Sequence, residues 1–379
     1  MAKILHAVFE PMPRYTNLVA GLPATVPFVG PETQERTKGS QFLARLGANE
    51  SVFGPSPRAI AAMGEAASEV WKYADPENHD LKTALAEYHG VAPANIVIGE
   101  GIDGLLGLLV RMFVEAGDRV VTSLGAYPTF NFHVAGFGGD LTTFPYKDDA
   151  EDPEALIAAA RETDAKIVYF ANPDNPMGSW HSAETVQQMM NDTPEGCVLC
   201  LDEAYCEFAP EGTVPPIDIN SPNVIRMRTF SKAHGMAGAR VGYAIAHEEM
   251  ATAFNKVRNH FGVNRIGQAG ALAALQDQDW LMQVIDRVTH SKERIAEIVR
   301  SSGLFPLPSA TNFVTVDCGK DGEFAKSLVT TLGNRGIFVR MPFVAPQNRC
   351  IRISAGTERD LDVLAEHLPP ALEEAAQSL

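Results

Sequence analysis

Arg228-Thr229-Phe230-Ser231-Lys232-Ala233-His234-Gly235-Met236-Ala237-Gly238-Ala239-Arg240 lies between two apolar, strand-like runs, 224–227 and 241–246. The loop carries one lysine, hydroxyls on Thr229 and Ser231, and an arginine eight residues after the lysine. A lysine among fixed hydroxyls and a second cation has its pKa lowered, which leaves the amine free to attack a carbonyl. The same hydroxyls with Arg240 suit a phosphate. Together they describe a phosphorylated aldehyde held as a Schiff base. A surface lysine in a glycine-rich loop is the competing reading, and the segment alone leaves both open.

Outward from this loop, short apolar runs recur at 96–98, 120–122, 141–144, 167–171 and 198–201. Helix-length stretches separate several of them, at 105–114, 153–161 and 183–190. With the two runs that flank Lys232, about seven strands alternate with helices, which predicts an α/β domain with a mainly parallel sheet covered on both faces. Ligands of such sheets bind beyond the C-terminal ends of the strands. Before the alternation, Ser56 and Pro57 open a helix with apolar positions Ile60, Met63, Ala67 and Val70, and 81–88 reads as another helix. After it, helices are expected at 268–275 and 279–302. Strands follow at 313–316, 337–340 and 350–353, with helices near 323–335 and 359–376, a smaller α+β unit. The spacing thus divides the chain into a proline- and glycine-rich arm, 1–48, a large domain, 49–275, and a small domain, 276–379. The arm is expected to join the small domain and a dimer contact.

Composition narrows the partners. In 379 residues, 45% are hydrophobic and 21% charged, an ordinary globular balance with room for a large core. The net charge of −16 argues against nucleic acid or an anionic membrane as the main partner. No run reaches the ~20 apolar residues of a membrane span, and residues 1–10 make a poor signal peptide. Five cysteines include Cys197, Cys200 and Cys206. Cys197 and Cys200 fall in one strand-like run, where i and i+3 face opposite sides, so no metal site is expected. The reading is a reduced, cytoplasmic protein.

Further candidates follow the strands in order. Gly99-Glu100-Gly101-Ile102-Asp103-Gly104 has the form of a dinucleotide-binding turn, but the next strand ends without the acidic residue that would hold a ribose. What remains is a strand-to-helix turn whose free N–H groups suit a phosphate. Tyr127 follows the run at 120–122 and suits stacking on a flat ring. In Asn172-Pro173-Asp174-Asn175-Pro176-Met177-Gly178, two prolines and a glycine hold the Asn175 amide rigidly. Asp202 ends a strand buried on both faces, and such a carboxylate needs a partner; a protonated heteroaromatic nitrogen is a good one, with Tyr205 near enough to reach the same ligand. Arg352 stands inside an otherwise apolar strand, where an arginine usually meets a carboxylate or phosphate.

In this order the motifs resemble those of the fold-type-I aminotransferases that use pyridoxal 5′-phosphate, and most closely the histidinol-phosphate aminotransferase branch. The resemblance runs from about Asn49 to Arg352. It implies that Lys232 forms the Schiff base, that Asp202 pairs with the pyridine nitrogen, and that Asn175 and Tyr205 bond the ring's phenolic oxygen. It implies that Tyr127 stacks on the ring. Gly101, Ile102 and Asp103 offer backbone to the phosphate, and Thr229 or Ser231, with Arg240, bind its oxygens. Arg352, Asn49 and Tyr15 are implied substrate contacts. Tyr73 matches a tyrosine that reaches the cofactor phosphate of the other subunit, which implies a homodimer. The chain departs from the pattern at Ile102, where a small residue is usual, at Gly104, where an acid is usual, and at Met177, in place of threonine. Trp180 is expected to narrow the pocket, and the arm at 15–40 does not match the usual one.

The implied reaction is amino transfer in two halves. Lys232 removes the Cα proton of an amino donor, Asp202 keeps the ring nitrogen protonated, and a 2-oxo acid, typically 2-oxoglutarate, accepts the amino group. Arg352 then holds an α-carboxylate or, with histidinol phosphate, a phosphate. Aromatic or other amino acids are alternative donors. A decarboxylase of the threonine-phosphate type shares these motifs. A nicotinamide-dependent dehydrogenase and a cofactor-binding regulator are more distant alternatives, the latter lacking an expected DNA-binding segment.

Overall fold

The computed structural model of the protein describes residues 13–24 and 29–378; the signal-peptide reading of 1–10 lies outside them. In chain order its strands are β1 (Ala44–Arg45), β2 (Ile96–Gly99), β3 (Arg119–Ser123), β4 (Asp140–Phe144), β5 (Ile167–Ala171), β6 (Val198–Asp202), β7 (Val224–Thr229) and β8 (Gly242–Ala246). The last four are β9 (Phe305–Pro306), β10 (Phe313–Asp317), β11 (Ile337–Phe338) and β12 (Cys350–Ser354). A seven-stranded sheet has the order β2-β8-β7-β6-β5-β3-β4. β7, β6, β5, β3 and β4 pair in parallel, while β8 runs antiparallel to both β7 and β2. The expected mainly parallel α/β sheet is therefore present, with β8 alone reversed.

Alternation along the central strands explains why they are buried on both faces. In β5, Ile167, Tyr169 and Ala171 enter one apolar layer with Leu105, Leu109 and Phe130. Val168 and Phe170 enter the other, with Leu156, Val186 and Met189. β6 follows the same period of two: Val198 and Cys200 face the first layer, and Cys197, Leu199 and Leu201 the second. The helices that cover the sheet are Gly101–Phe113 and Pro128–Phe137 on one face and Pro153–Thr163 and Ala183–Asp192 on the other. All five cysteines are free. Among the described residues no His, Cys, Asp or Glu cluster is arranged to hold a metal, and no helix is long and apolar enough to cross a membrane.

Two local expectations need correcting. Ser56 does cap the helix Pro57–Ala67, accepting from Ala59 N at 3.0 Å. Yet Ile60 and Val70 stand exposed, and Val70 lies beyond the helix. The packed face carries Ala59 and Met63 instead. It meets the helix Arg265–Leu275, where a Cβ on Gly270 would lie 2.6 Å from Met63 Cγ, so a glycine is what lets the two helices close. The arm is also more ordered than its composition predicts. Asn17–Gly21 and Pro31–Lys38 are helical, and β1 pairs in parallel with β11. Pro31–Lys38 has no apolar stripe to announce it. It rests on Pro31 at its start and Gly39, at φ 75°, at its end.

The C-terminal core forms around the antiparallel sheet β12-β10-β9 and the helices Gln278–Ser301, Gly322–Asn334 and Glu358–Gln377. Ala44 and Leu46, from the arm's end, are buried in it beside Ile295, Val316, Leu328 and Ile351. β11 is shorter than expected and stops at Phe338; Arg340 meets Arg352 only through an isolated bridge.

Candidate active site

The candidate residues gather because of strand direction. Gly101, Tyr127, Asn175, Tyr205 and Lys232 follow the C-terminal ends of parallel-running strands. Arg240 precedes β8, and because β8 is reversed its start lies at that same edge. A cavity of about 350 Å³ opens there, within the range of small-ligand sites. Ile102, Asp103, Tyr127, Asn175, Asp202, Tyr205, Thr229, Ser231, Lys232 and Arg240 all line it, as do Asn49 from before the sheet and Arg352 from after it.

Lys232 Nζ donates to the Asn49 carbonyl at 3.1 Å and lies 5.5 Å from the centre of the Tyr205 ring. Burial pulls its pKa down to about 8, and Arg352 and Arg240 push the same way against Glu50 and Asp202. The amine is thus prepared as a nucleophile or base near neutrality. Asn49 sits at φ 55° and collects contacts. Its carbonyl also accepts from Asn312 Nδ2 at 3.0 Å, its Nδ2 donates to Tyr205 Oη at 3.0 Å, and its Oδ1 accepts from Ser354 Oγ at 2.9 Å. One residue from the arm's edge therefore ties Lys232, Tyr205 and β12 together. Tyr205 is buried, which raises its pKa to about 12, so it is a neutral phenol at neutral pH.

Asp202 is 6% exposed and has no ion pair among the described residues. Its Oδ2 accepts from Tyr169 Oη at 2.7 Å and its Oδ1 from Ala204 N at 2.9 Å. Burial still lifts its pKa to about 6, with those two hydrogen bonds and Lys232 restraining the rise. A carboxylate so enclosed favours a cation opposite it, and a pyridinium nitrogen meets that need. Sequence reasoning missed Tyr169. Its strand reads as uniformly apolar, and only the β5–β6 register, with Tyr169 opposite Cys200 and on the Asp202 face, identifies it. Tyr169 is held by the ring of Phe130, stacked at 4.6 Å. Tyr127 precedes the helix Pro128–Phe137, and burial raises its pKa to about 12.

The Arg240 side of the cavity is equally defined. Thr229 Oγ1 accepts from Ser231 N at 3.0 Å, and Arg240 donates to Ser231 Oγ at 3.4 Å and to Glu100 O at 3.3 Å. Arg240 is itself at φ 57°. Gly101 opens the helix Gly101–Phe113 at φ 79°, and a Cβ on it would come 2.4 Å from Arg240 Nη2. A Cβ on Gly242 would lie 2.8 Å from the carbonyl carbon of Gly101. The helix N-terminus, two hydroxyls and a guanidinium are thus pressed into one cradle, which fits a phosphate. Asp103 does not enter through its side chain, which accepts from His133 Nε2 at 2.8 Å.

On the opposite side Arg352 donates to Asn175 Oδ1 and to Gly47 O. Both acceptors are neutral, and Arg352 Nε is buried with no hydrogen-bond partner among the described residues. Burial lowers its pKa to about 10, so it stays a cation at neutral pH. The turn that presents Asn175 is held by more than its prolines. Asp174 accepts from Tyr146 Oη at 2.8 Å and from Met177 N at 2.9 Å. Arg340, absent from the sequence-derived candidates, also lines the cavity and donates to Val29 O at 2.8 Å. Its run, Ile-Phe-Val-Arg, reads as an ordinary strand end; only its bridge to Arg352 brings it here.

Three expected residues lie elsewhere. Tyr73 is 77% exposed, its ring 4.7 Å from that of Phe261. Tyr15 is 68% exposed, and neither tyrosine lines the cavity of its own chain. Trp180 does not line it either, so it does not narrow the pocket, and Met177 is buried outside the lining. After Gly178 the chain doubles back on its own turn, Ser179 O accepting from Asp174 N at 2.9 Å and His181 N donating to Asn172 Oδ1 at 2.8 Å, before the helix Ala183–Asp192, whose cap is Ser182.

Comparison with known proteins agrees with this geometry. The family model for aminotransferase class I and II matches residues 43–368. Histidinol-phosphate aminotransferase 2 of Carboxydothermus hydrogenoformans is 33% identical over 330 residues, 86% of this chain and 90% of that protein. The histidinol-phosphate aminotransferase of Roseiflexus castenholzii is 33% identical over 359 residues, 92% and 96% of the two chains. The crystal structure of histidinol-phosphate aminotransferase from Sinorhizobium meliloti, in complex with pyridoxal-5′-phosphate, is 57% identical and covers 96% of this chain and 98% of its own, with a TM-score of 0.92. L-threonine-O-3-phosphate decarboxylase from Porphyromonas gingivalis shares the fold at a TM-score of 0.75 and 20% identity, covering 87% and 99%. A lysine among hydroxyls, a buried carboxylate and an anion cradle on an α/β sheet define a pyridoxal-phosphate-dependent transferase. The chain belongs to the class I and II aminotransferases, transaminases of fold type I.

Proposed function

We propose that the chain transfers an amino group between histidinol phosphate and 2-oxoglutarate, with Lys232 as the cofactor-linked amine. The observation that carries the substrate is the pair Arg340 and Arg352. Both guanidiniums line the cavity that holds Lys232 and Asp202. The bridge between their backbones places them together, and Arg352 has only neutral acceptors plus an unpartnered buried Nε. Two cations beside the reacting amine suit a doubly charged phosphate, and one of them suffices for the α-carboxylate of glutamate. The names of the curated relatives point the same way.

Bound there, pyridoxal phosphate supplies an aldehyde for the Lys232 amine and a ring that accepts the electrons left when a Cα proton departs. The residues divide the remaining work. The turn at Gly101, with Ile102 and Asp103 backbone, Thr229, Ser231 and Arg240, would hold the phosphate. Asp202, backed by Tyr169, would keep the ring nitrogen protonated. Tyr205 and the Nδ2 end of Asn175 would hydrogen-bond the phenolic oxygen, and Tyr127 would wall the ring. The Lys232 amine would serve as the base that takes the Cα proton and then as the acid that gives it back. Residues 49–275 form the cofactor-holding domain and 276–379, with the arm, the part that carries Arg340 and Arg352. Tyr73 and Tyr15, exposed in one chain, serve a second copy across a homodimer.

The experiment is a donor screen. Purified enzyme should absorb in the visible, and borohydride should fix the cofactor on the peptide that contains Lys232. With 2-oxoglutarate as acceptor, histidinol phosphate should give the highest kcat/KM among it, aromatic amino acids and aspartate. Carbon dioxide release without consumption of 2-oxoglutarate would instead establish a decarboxylase, and a higher kcat/KM for phenylalanine or tyrosine would displace the phosphate reading.

A further inference from the structure

One wall of the cavity has no part in the chemistry above. Met341, Pro342 and Phe343 line it, and Phe343 leaves 70% of its surface exposed. We propose that this strap reads the substrate's side chain and that Phe343 is a specificity-determining residue for donors bearing a flat ring, an inference that rests on the aminotransferase reading of the Lys232 site.

Substrate geometry leads to this wall. The Cα of an amino donor has three heavy substituents. Lys232 marks the place of the amine, and Arg340 with Arg352 the place of the anion-bearing arm. The third substituent must face what is left. The strap begins one residue after Arg340, so it lies directly beside the anion site. Its chemistry also fits: an aromatic ring offers a stacking face, and Met341 an adaptable apolar surface.

The strap is also held in place, as a selective surface must be. Upstream, Arg352 N donates to Arg340 O at 2.6 Å, and Arg340 N to Arg352 O at 3.3 Å. Downstream, Asn348 N donates to Val344 O at 2.8 Å. Arg349 then bridges two parts of the molecule, with Nη2 2.6 Å from Asp149 Oδ2 and Nε 2.7 Å from Asp317 Oδ2. Gln347 adds a bond to Asp149 Oδ1 at 3.3 Å. Asp149 belongs to the turn after β4 and Asp317 ends β10, so Arg349 is a positioning residue that ties the strap to both sheets.

The test uses holoenzyme half-reactions with histidinol phosphate, phenylalanine and glutamate, in wild type, Phe343→Ala, Phe343→Tyr and Arg349→Ala. The quantity read is kcat/KM for each ring donor divided by that for glutamate. Phe343→Ala should lower this ratio roughly three- to tenfold, and Phe343→Tyr should restore it. Arg349→Ala should lower it through KM, with kcat less affected. An unchanged ratio in Phe343→Ala overturns the proposal, as does an equal loss in Phe343→Tyr. If wild type accepts phenylalanine but not histidinol phosphate, the substrate reading falls while the strap is judged on the phenylalanine ratio. If wild type accepts neither ring donor, the strap proposal falls with it.

Discussion

Lys232 shows how neighbours set the state of a single side chain. An ordinary lysine has only about 0.04% of its amine neutral at pH 7, whereas a pKa of about 8 leaves roughly 10% neutral. The shift is downward and the reactive form is the neutral one, so reactivity rises with pH and levels off once the amine is free. Apoenzyme should therefore capture pyridoxal phosphate at a rate that climbs through about pH 8, where it is half-maximal, and levels off about one pH unit higher; a rise continuing to pH 10 would contradict the burial argument. Tyr169 gives a second prediction at this scale. Tyr169→Phe removes a charge-assisted bond to Asp202 without emptying the core, and should weaken cofactor binding by about tenfold or more in a dissociation titration. Of these residues, Lys232, Asp202 and Asn175 are legible in the sequence because each falls in a local motif at a strand end. Tyr169 and Arg340 are not, because what singles them out is a neighbour 33 residues away at Asp202 or a backbone bridge to Arg352.

At the scale of elements, the loop that carries Lys232 is clamped from both ends. Gly235 has φ 68°, and a Cβ on it would lie 2.4 Å from the Gly54 carbonyl. Backbone cannot yield as a flexible side chain can. Gly235→Ala should thus destabilise the fold by about 2 kcal/mol or more, read as a lowered midpoint in denaturant. The end of β6 is clamped by charge. Glu203 is buried and receives Arg226 at 2.6 Å and Arg228 at 2.8 Å. Burial alone would raise its pKa, but Arg228 and Arg226 outweigh burial and hold it below the ordinary value. A carboxyl lowered on folding contributes stability that is complete above the unfolded pKa, about 4.3, and is lost as pH falls through the lower folded value. Glu203→Gln removes that contribution at every pH and leaves two guanidiniums underpaired, a cost of about 3–5 kcal/mol in urea unfolding at pH 7. The sheet strands themselves were readable from apolar runs of strand length. The helix Pro31–Lys38 was not, since a helix without an apolar face leaves no periodic trace.

For the whole molecule, the exposed aromatics Trp71, Tyr73 and Phe261 crowd one region that a single chain leaves uncovered. A homodimer predicts a species of about twice 40.9 kDa in sedimentation. It also predicts that Tyr73→Phe lowers cofactor affinity although Tyr73 lies outside its own chain's cavity. A monomer with full activity would refute both. By itself the sequence determined the α/β sheet, the strand-end order of the motifs and the class of chemistry, because all three are written in local spacing and residue type. Tertiary structure alone decided that β8 is reversed, which brings Arg240 to the edge of the sheet where the cavity opens, and that the arm's end joins the C-terminal core. It alone decided that Asn49, Tyr205 and Lys232 share one hydrogen-bonded node and that Arg340 joins Arg352. Those are pairings between residues far apart in the chain, and no local pattern encodes which distant partner a strand, carbonyl or guanidinium will meet.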